Sequence, residues 1–128
     1  MTPEDVAAGD YAGALEQIAL GTTTLVDWSR EAMTPDHAEA AVDGLLRSGA
    51  RAIFAYTVPA RPSDGSDAPA RRMIEHAKAL RAGRLASDAG RVRLVPGPDF
   101  MPLEPALADL AALRELDVLT SFHCGAPI

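Results

Sequence analysis

Three histidines and one cysteine carry the side chains of this 128-residue sequence best suited to proton transfer, nucleophilic attack or metal binding. His123 ends the apolar stretch that starts at Leu119. A neutral imidazole there can bind a metal ion or exchange a proton, and the structural alternative is a buried ring bonded to a carbonyl. Cys124 follows directly, but adjacent residues on a strand point to opposite faces, so the two do not form a thiolate–imidazole pair. Cys124 reads as a small hydrophobe. His37 lies in a polar stretch near a helix start and reads as a solvated ring. His76, beside Glu75, belongs to no H-E-x-x-H pattern and reads as a partly exposed helix residue. Asp27 either binds substrate or accepts a hydrogen bond that fixes a strand end. Asp99, after Pro96-Gly97-Pro98, either shapes a turn or reaches a pocket. Trp28, the single tryptophan, lines a pocket or covers the top of the sheet.

Other chemistries lose their usual support. The sequence holds no G-x-G-x-x-G, no G-x-x-x-x-G-K-[ST] and no G-x-S-x-G, so phosphate cradles and a serine nucleophile elbow are missing.

The elements that would position these residues alternate. Thr2-Pro3-Glu4-Asp5 carries a capping hydroxyl, a proline preset for the first turn and acids that complement the helix dipole. Val6, Tyr11, Leu15 and Ile18 continue that helix to Gly21, and the β-branched run from Thr22 to Asp27 predicts a strand. Thr34-Pro35-Asp36 opens a second helix, with Ala38, Ala41, Val42, Leu45 and Leu46 on one face and a stop at Gly49. A strand from Arg51 to Thr57 follows, then a loop from Pro59 to Pro69. Met73, Ile74, Ala77 and Leu80 mark a third helix, Val92 to Val95 a third strand, Leu103, Leu107, Leu110 and Leu113 a fourth helix, and Leu119 to His123 a fourth strand. Such alternation implies parallel strands joined by right-handed helical crossovers. Two architectures fit, a small doubly wound sheet and a segment of a (β/α)8 barrel, and both keep ligands beyond the carboxyl ends of the strands. Those ends are Asp27 to Ser29, Tyr56 and Thr57, Pro98 and Asp99, and His123 and Cys124.

Twelve lysines and arginines against 18 acids give a net charge of −6, the wrong sign for binding nucleic acid by neutralising phosphates. One thiol cannot form an internal disulfide and suits a reducing compartment. Without a basic, apolar leader or a run of about 20 apolar residues, the expectation is a cytoplasmic protein with no membrane partner. The length suits one domain over residues 1–128.

Residues 2–6, 13–16 and above all Gly21-Thr22-Thr23-Thr24-Leu25-Val26-Asp27-Trp28-Ser29 resemble the passage from the first helix into the second strand of amidohydrolase-superfamily enzymes, in the cytosine deaminase and chlorohydrolase-like branch. The runs from Thr34 to Ala41 and from Ser48 to Tyr56 continue the likeness, and Thr120-Ser121-Phe122-His123-Cys124-Gly125 resembles the fifth barrel strand. The resemblance implies strands two to five of a (β/α)8 TIM barrel, a partial barrel of about four parallel strands. It implies an enzyme that uses a divalent metal, zinc or iron, to hydrolyse a carbon–nitrogen or related bond of an amidine, amide or heteroaromatic amine. Of the ligand set it implies, only the fifth-strand histidine maps here, onto His123, with Trp28 and Asp99 as substrate-pocket candidates. The His-x-His pair of the first barrel strand has no counterpart in the sequence.

One imidazole cannot hold a catalytic zinc, which takes about three protein ligands, so the isolated chain is expected to be inactive. Four strands also cannot close an eight-stranded barrel, so those near residues 22 and 119 would expose unpaired edges and promote self-association or pairing with a complementary fragment. The alternative is a small non-catalytic α/β binding or interaction domain.

Overall fold

The computed structural model describes residues 1–59, 62–98 and 103–121, with the side chain of Leu103 outside the description. Helices and strands alternate as α1 (Pro3–Ala19), β1 (Leu25–Ser29), α2 (Pro35–Ser48), β2 (Ala52–Tyr56), α3 (Ala68–Ala82), β3 (Val92–Pro96) and α4 (Leu103–Leu113), followed by a 3-10 turn at Arg114–Leu116. The strands form one parallel sheet in the order β1-β2-β3.

Local chemistry sets the helix boundaries. At α1, the Thr2 hydroxyl accepts from the Asp5 N–H while the Asp5 carboxylate accepts from the Thr2 N–H, which satisfies two backbone donors that a helix start leaves over. Thr34 caps α2 through the His37 N–H, and Gly49 ends it at φ 74°, a left-handed conformation that costs glycine little.

Two expected elements shift. The first strand begins at Leu25 rather than Thr22 because Thr22 still serves the end of α1: its N–H donates to the Gln17 carbonyl and its hydroxyl to the Gln17 amide oxygen. The fourth strand does not form over Leu119–Ser121, although the Ser121 N–H donates to the Pro96 carbonyl at the end of β3. Its remaining residues, including His123, lie outside the described residues. The described sheet therefore has three strands where about four were expected.

Register assigns the two faces of the sheet. Leu25, Ala52 and Val92 align, as do Asp27, Phe54 and Leu94, and then Ser29, Tyr56 and Pro96. Phe54, Tyr56, Val92 and Leu94 are buried on this face with Val42 and Leu45 of α2 and Met73, Ala77 and Leu80 of α3. The opposite face carries Val26, Ile53 and Arg93, then Trp28, Ala55 and Val95. It is less covered, and Val26 is 58% exposed.

The helical stripes agree with expectation in α3 and only partly elsewhere. Leu46 is exposed at the rim of α2. In α1 only Val6 and Ala14 are buried, and Leu15 and Ile18 are exposed because α1 packs chiefly on α2 and has nothing described beyond it. In α4 the buried stripe is Ala106, Asp109 and Leu113, continued by Leu116, so the expected leucine stripe is rotated and Leu107 is exposed.

Candidate functional site

The carboxyl ends of β1 and β2 are tied together by a buried hydrogen bond. The Thr57 hydroxyl donates to the Ser29 carbonyl at 2.6 Å, and both residues are buried. The Gly97 N–H donates to the Tyr56 carbonyl, joining β3 to the same rim. Gly97 lies against Ala55, and a Cβ at residue 97 would sit 3.2 Å from the Ala55 Cβ. The rim that would carry a ligand in either architecture is thus tied by the Thr57 hydroxyl and one backbone bond.

The expected site residues do not all gather there. Trp28 belongs to the less covered face, opposite Asp27, so the two cannot share one pocket. Asp99, His123 and Cys124 lie outside the described residues. Tyr56 turns toward the helices, where its hydroxyl meets the His76 ring. His37 is not simply solvated: its Nδ1 lies 2.6 Å from the Thr34 hydroxyl and its Nε2 3.2 Å from the Met1 carbonyl. His76 is partly exposed, as expected, and also bridges Tyr56 and Glu39. Among the described residues, no three His, Cys, Asp or Glu side chains converge to hold a metal ion.

Asp27 enters a cleft of about 490 Å³ beside β1, lined by Gly9, Asp10, Gly13 and Gln17 of α1 and by Leu25 and Leu45. Asp27 Oδ2 and Asp10 Oδ2 are both buried without a hydrogen-bond partner. Burial, with Asp10 and Glu31 adding negative charge, pushes the Asp27 carboxyl up to about 7. Burial and Glu31 push Asp10 up to about 6. Carboxyls in this range can take or give a proton near neutrality. Asp27 Oδ2 therefore accepts no hydrogen bond of the kind that would fix the strand end, the structural role open to Asp27 from sequence.

Asp10 escaped the sequence reading because its relation to Asp27 is tertiary. One local signal was present: Asp10 sits between Gly9 and Gly13 on a helix whose buried residue Ala14 is one turn on. An acid beside small residues at that spacing marks a face open to close approach.

No family model matches the chain. It is similar to a curated protein, the 5-methylthioadenosine/S-adenosylhomocysteine deaminase of Thermococcus kodakarensis (strain ATCC BAA-918 / JCM 12380 / KOD1). The two are 30% identical over 124 residues, which make up 96% of this chain and 26% of the relative. The chain spans about a quarter of the length of the curated relative it matches.

Proposed function

We propose that these residues form the central part of a hydrolytic deaminase of the amidohydrolase type, strands two to five of a (β/α)8 barrel. The observation that carries the reading is the likeness to a deaminase across 96% of the chain. The fold supports it, because the parallel order β1-β2-β3, advancing in one direction with α2 and α3 on one face, is the arc a barrel repeats.

The proposed reaction replaces the amino group of a heteroaromatic amine, of the adenosine type named for the relative, with oxygen from water and releases ammonia. In it the chain supplies scaffold and pocket wall: Thr57 and Ser29 hold the rim, and Trp28 is the described substrate-facing candidate, with Asp99 its counterpart outside the description. A divalent metal, zinc or iron, belongs to this reading through His123. The described residues do not make up such a centre, so no catalytic step is assigned through it. A cytoplasmic site of action is part of the same proposal, supported by the lone cysteine. No helix among the described residues is long and apolar enough to cross a membrane.

Two measurements test the reading. The purified 128-residue chain should carry well under one equivalent of zinc and release no ammonia from 5-methylthioadenosine. Stoichiometric zinc, lost in His123→Ala, would overturn the incomplete site. The second places this chain in the Thermococcus deaminase in exchange for the matching stretch. The chimera should fold and retain measurable deamination; one that unfolds cooperatively yet releases no ammonia overturns the deaminase assignment.

A further inference from the structure

The sequence contains no asparagine and two Asp-Gly pairs, Asp43-Gly44 and Asp64-Gly65. Glycine carries no Cβ to shield its amide nitrogen, so an aspartyl carboxyl reaches that nitrogen more readily before glycine than before any other residue. The fold treats the two pairs differently. Asp43 and Gly44 lie inside α2, with Gly44 buried against the Ala7 carbonyl and the Asp43 carboxylate paired with Arg84. Asp64 and Gly65 are exposed, in the connection between β2 and α3. Gly65 holds φ 73°, and its N–H donates to the Pro62 carbonyl at 2.9 Å, closing a turn. The Ser66 N–H donates to Asp64 Oδ1 at 2.8 Å, which folds the carboxyl forward along the chain toward the Gly65 nitrogen.

We propose that Asp64-Gly65 is a site of spontaneous isoaspartate formation, and that the fold holds Asp43-Gly44, the same dipeptide, inert. The reaction consumes no reagent, since one water is released and one is taken up. The Gly65 nitrogen attacks Cγ of Asp64 in its carboxylic acid form; a C–N bond forms, and the amide proton leaves with the carboxyl hydroxyl as water. The cyclic imide then adds water at one of its two carbonyls. Cleavage of the bond from nitrogen to Cγ restores aspartate. Cleavage of the bond from nitrogen to the main-chain carbonyl carbon leaves the chain running through Cβ and Cγ, one carbon longer and unchanged in mass. Orientation decides between the two pairs. The exposed turn reaches the attacking geometry by opening locally, whereas α2 must first give up its packing on α1 and its Arg84 pair. In the product, the oxygen that accepted from Ser66 becomes part of the main chain. The change therefore falls beside Ser66, whose hydroxyl accepts from the Ala68 N–H at the start of α3. The inference does not depend on the deaminase reading, and its test measures no catalysis.

The purified chain is aged near neutral pH below its unfolding temperature, with protection of the Phe54 amide showing that it stays folded, and a second sample is aged in urea. Isoaspartate is counted by methyl transfer from S-adenosylmethionine with a protein-isoaspartate carboxyl methyltransferase. Electron-transfer fragmentation of the digested chain locates it. In the folded sample, isoaspartate at Asp64 should exceed that at Asp43 by at least about tenfold. Asp67, exposed in the same connection but followed by Ala68, should also lag Asp64 by at least about tenfold. Urea should bring Asp43 and Asp64 within about threefold of each other. Asp64→Glu, which would have to close a larger ring, should remove most of the methyl transfer to the folded chain. No isoaspartate at Asp64, equal amounts at Asp43 or Asp67 in the folded chain, a ratio that urea leaves unchanged, or methyl transfer that survives Asp64→Glu would each overturn the proposal.

Discussion

The hydroxyl of Tyr56, at the end of β2, lies 2.9 Å from Nδ1 of His76 on α3. His76 Nε2 lies 3.2 Å from Glu39 Oε1 on α2, and Arg84 pairs with both Glu39 and Asp43. Sheet, α3 and α2 are thereby joined through one polar chain. Burial, together with the Glu39 charge, pushes the Tyr56 phenol well above its ordinary value, so it stays protonated and able to donate. A carboxylate only accepts, so Nε2 carries a proton toward Glu39, and in the neutral ring Nδ1 accepts from Tyr56. Tyr56→Phe removes that donor and leaves Nδ1 without it. The expected loss is about 1–2 kcal/mol in urea unfolding at an unchanged m-value.

Glycine at position 44 brings α1 and α2 together. A Cβ there would lie 2.6 Å from the Ala7 carbonyl oxygen and 3.1 Å from the Asp10 Cβ. The first contact is with backbone and cannot be relieved by a rotamer change. Gly44→Ala should therefore destabilise the chain by about 1–3 kcal/mol. Gly9→Ala is the control, because its Cβ meets nothing within 4 Å and alanine favours the helix, for an expected gain of up to about 1 kcal/mol. Thermal midpoints moving in opposite directions would establish the contrast.

The buried bond from the Thr57 hydroxyl to the Ser29 carbonyl makes the rim of β1 and β2 sensitive to one oxygen atom. Thr57→Val keeps the shape but leaves the carbonyl with only its longer bond from the Ala32 N–H, at 3.3 Å, with an expected cost of about 0.5–1.5 kcal/mol. Thr57→Ser retains the hydroxyl and should recover most of that loss. A loss in Thr57→Ser with none in Thr57→Val, measured by urea unfolding, would show that the methyl group rather than the bond matters.

What the sequence made legible was local. The hydroxyls of Thr2 and Thr34 cap the helices they precede, and Gly49 takes the left-handed conformation its place after Ser48 implies, because each depends on neighbours within a turn. The displaced start of β1 was also a local event, but Thr22 had two competing uses, and its bonds to Gln17 prevailed over β propensity. The relations that matter for the site were not local. Asp10 meets Asp27, and His76 meets Tyr56 and Glu39, only after helices pack across the sheet. Which face Trp28 occupies depended on strand register, which shifts sides with every residue.

The cleft carboxyls set a pH dependence whose sign runs opposite to that of a salt-bridged acid. Burial raises Asp27 to about 7, above the value near 3.9 of an unfolded chain, so the folded protein binds the proton more tightly. The stability linked to Asp27 is fully present below about pH 4 and is lost as pH rises through about 7. Asp10, raised to about 6, loses its share over a lower window. Asp27→Asn holds a neutral side chain of the same shape at every pH. It should unfold at higher urea than the parent at pH 8, by on the order of 1–3 kcal/mol, and the two should converge toward pH 4. The difference between the two proteins isolates this carboxyl from the remaining titrating groups. A gap that is constant from pH 4 to pH 8, or one that widens on acidification, would show that Asp27 is ionised in the fold at low pH and already has a donor.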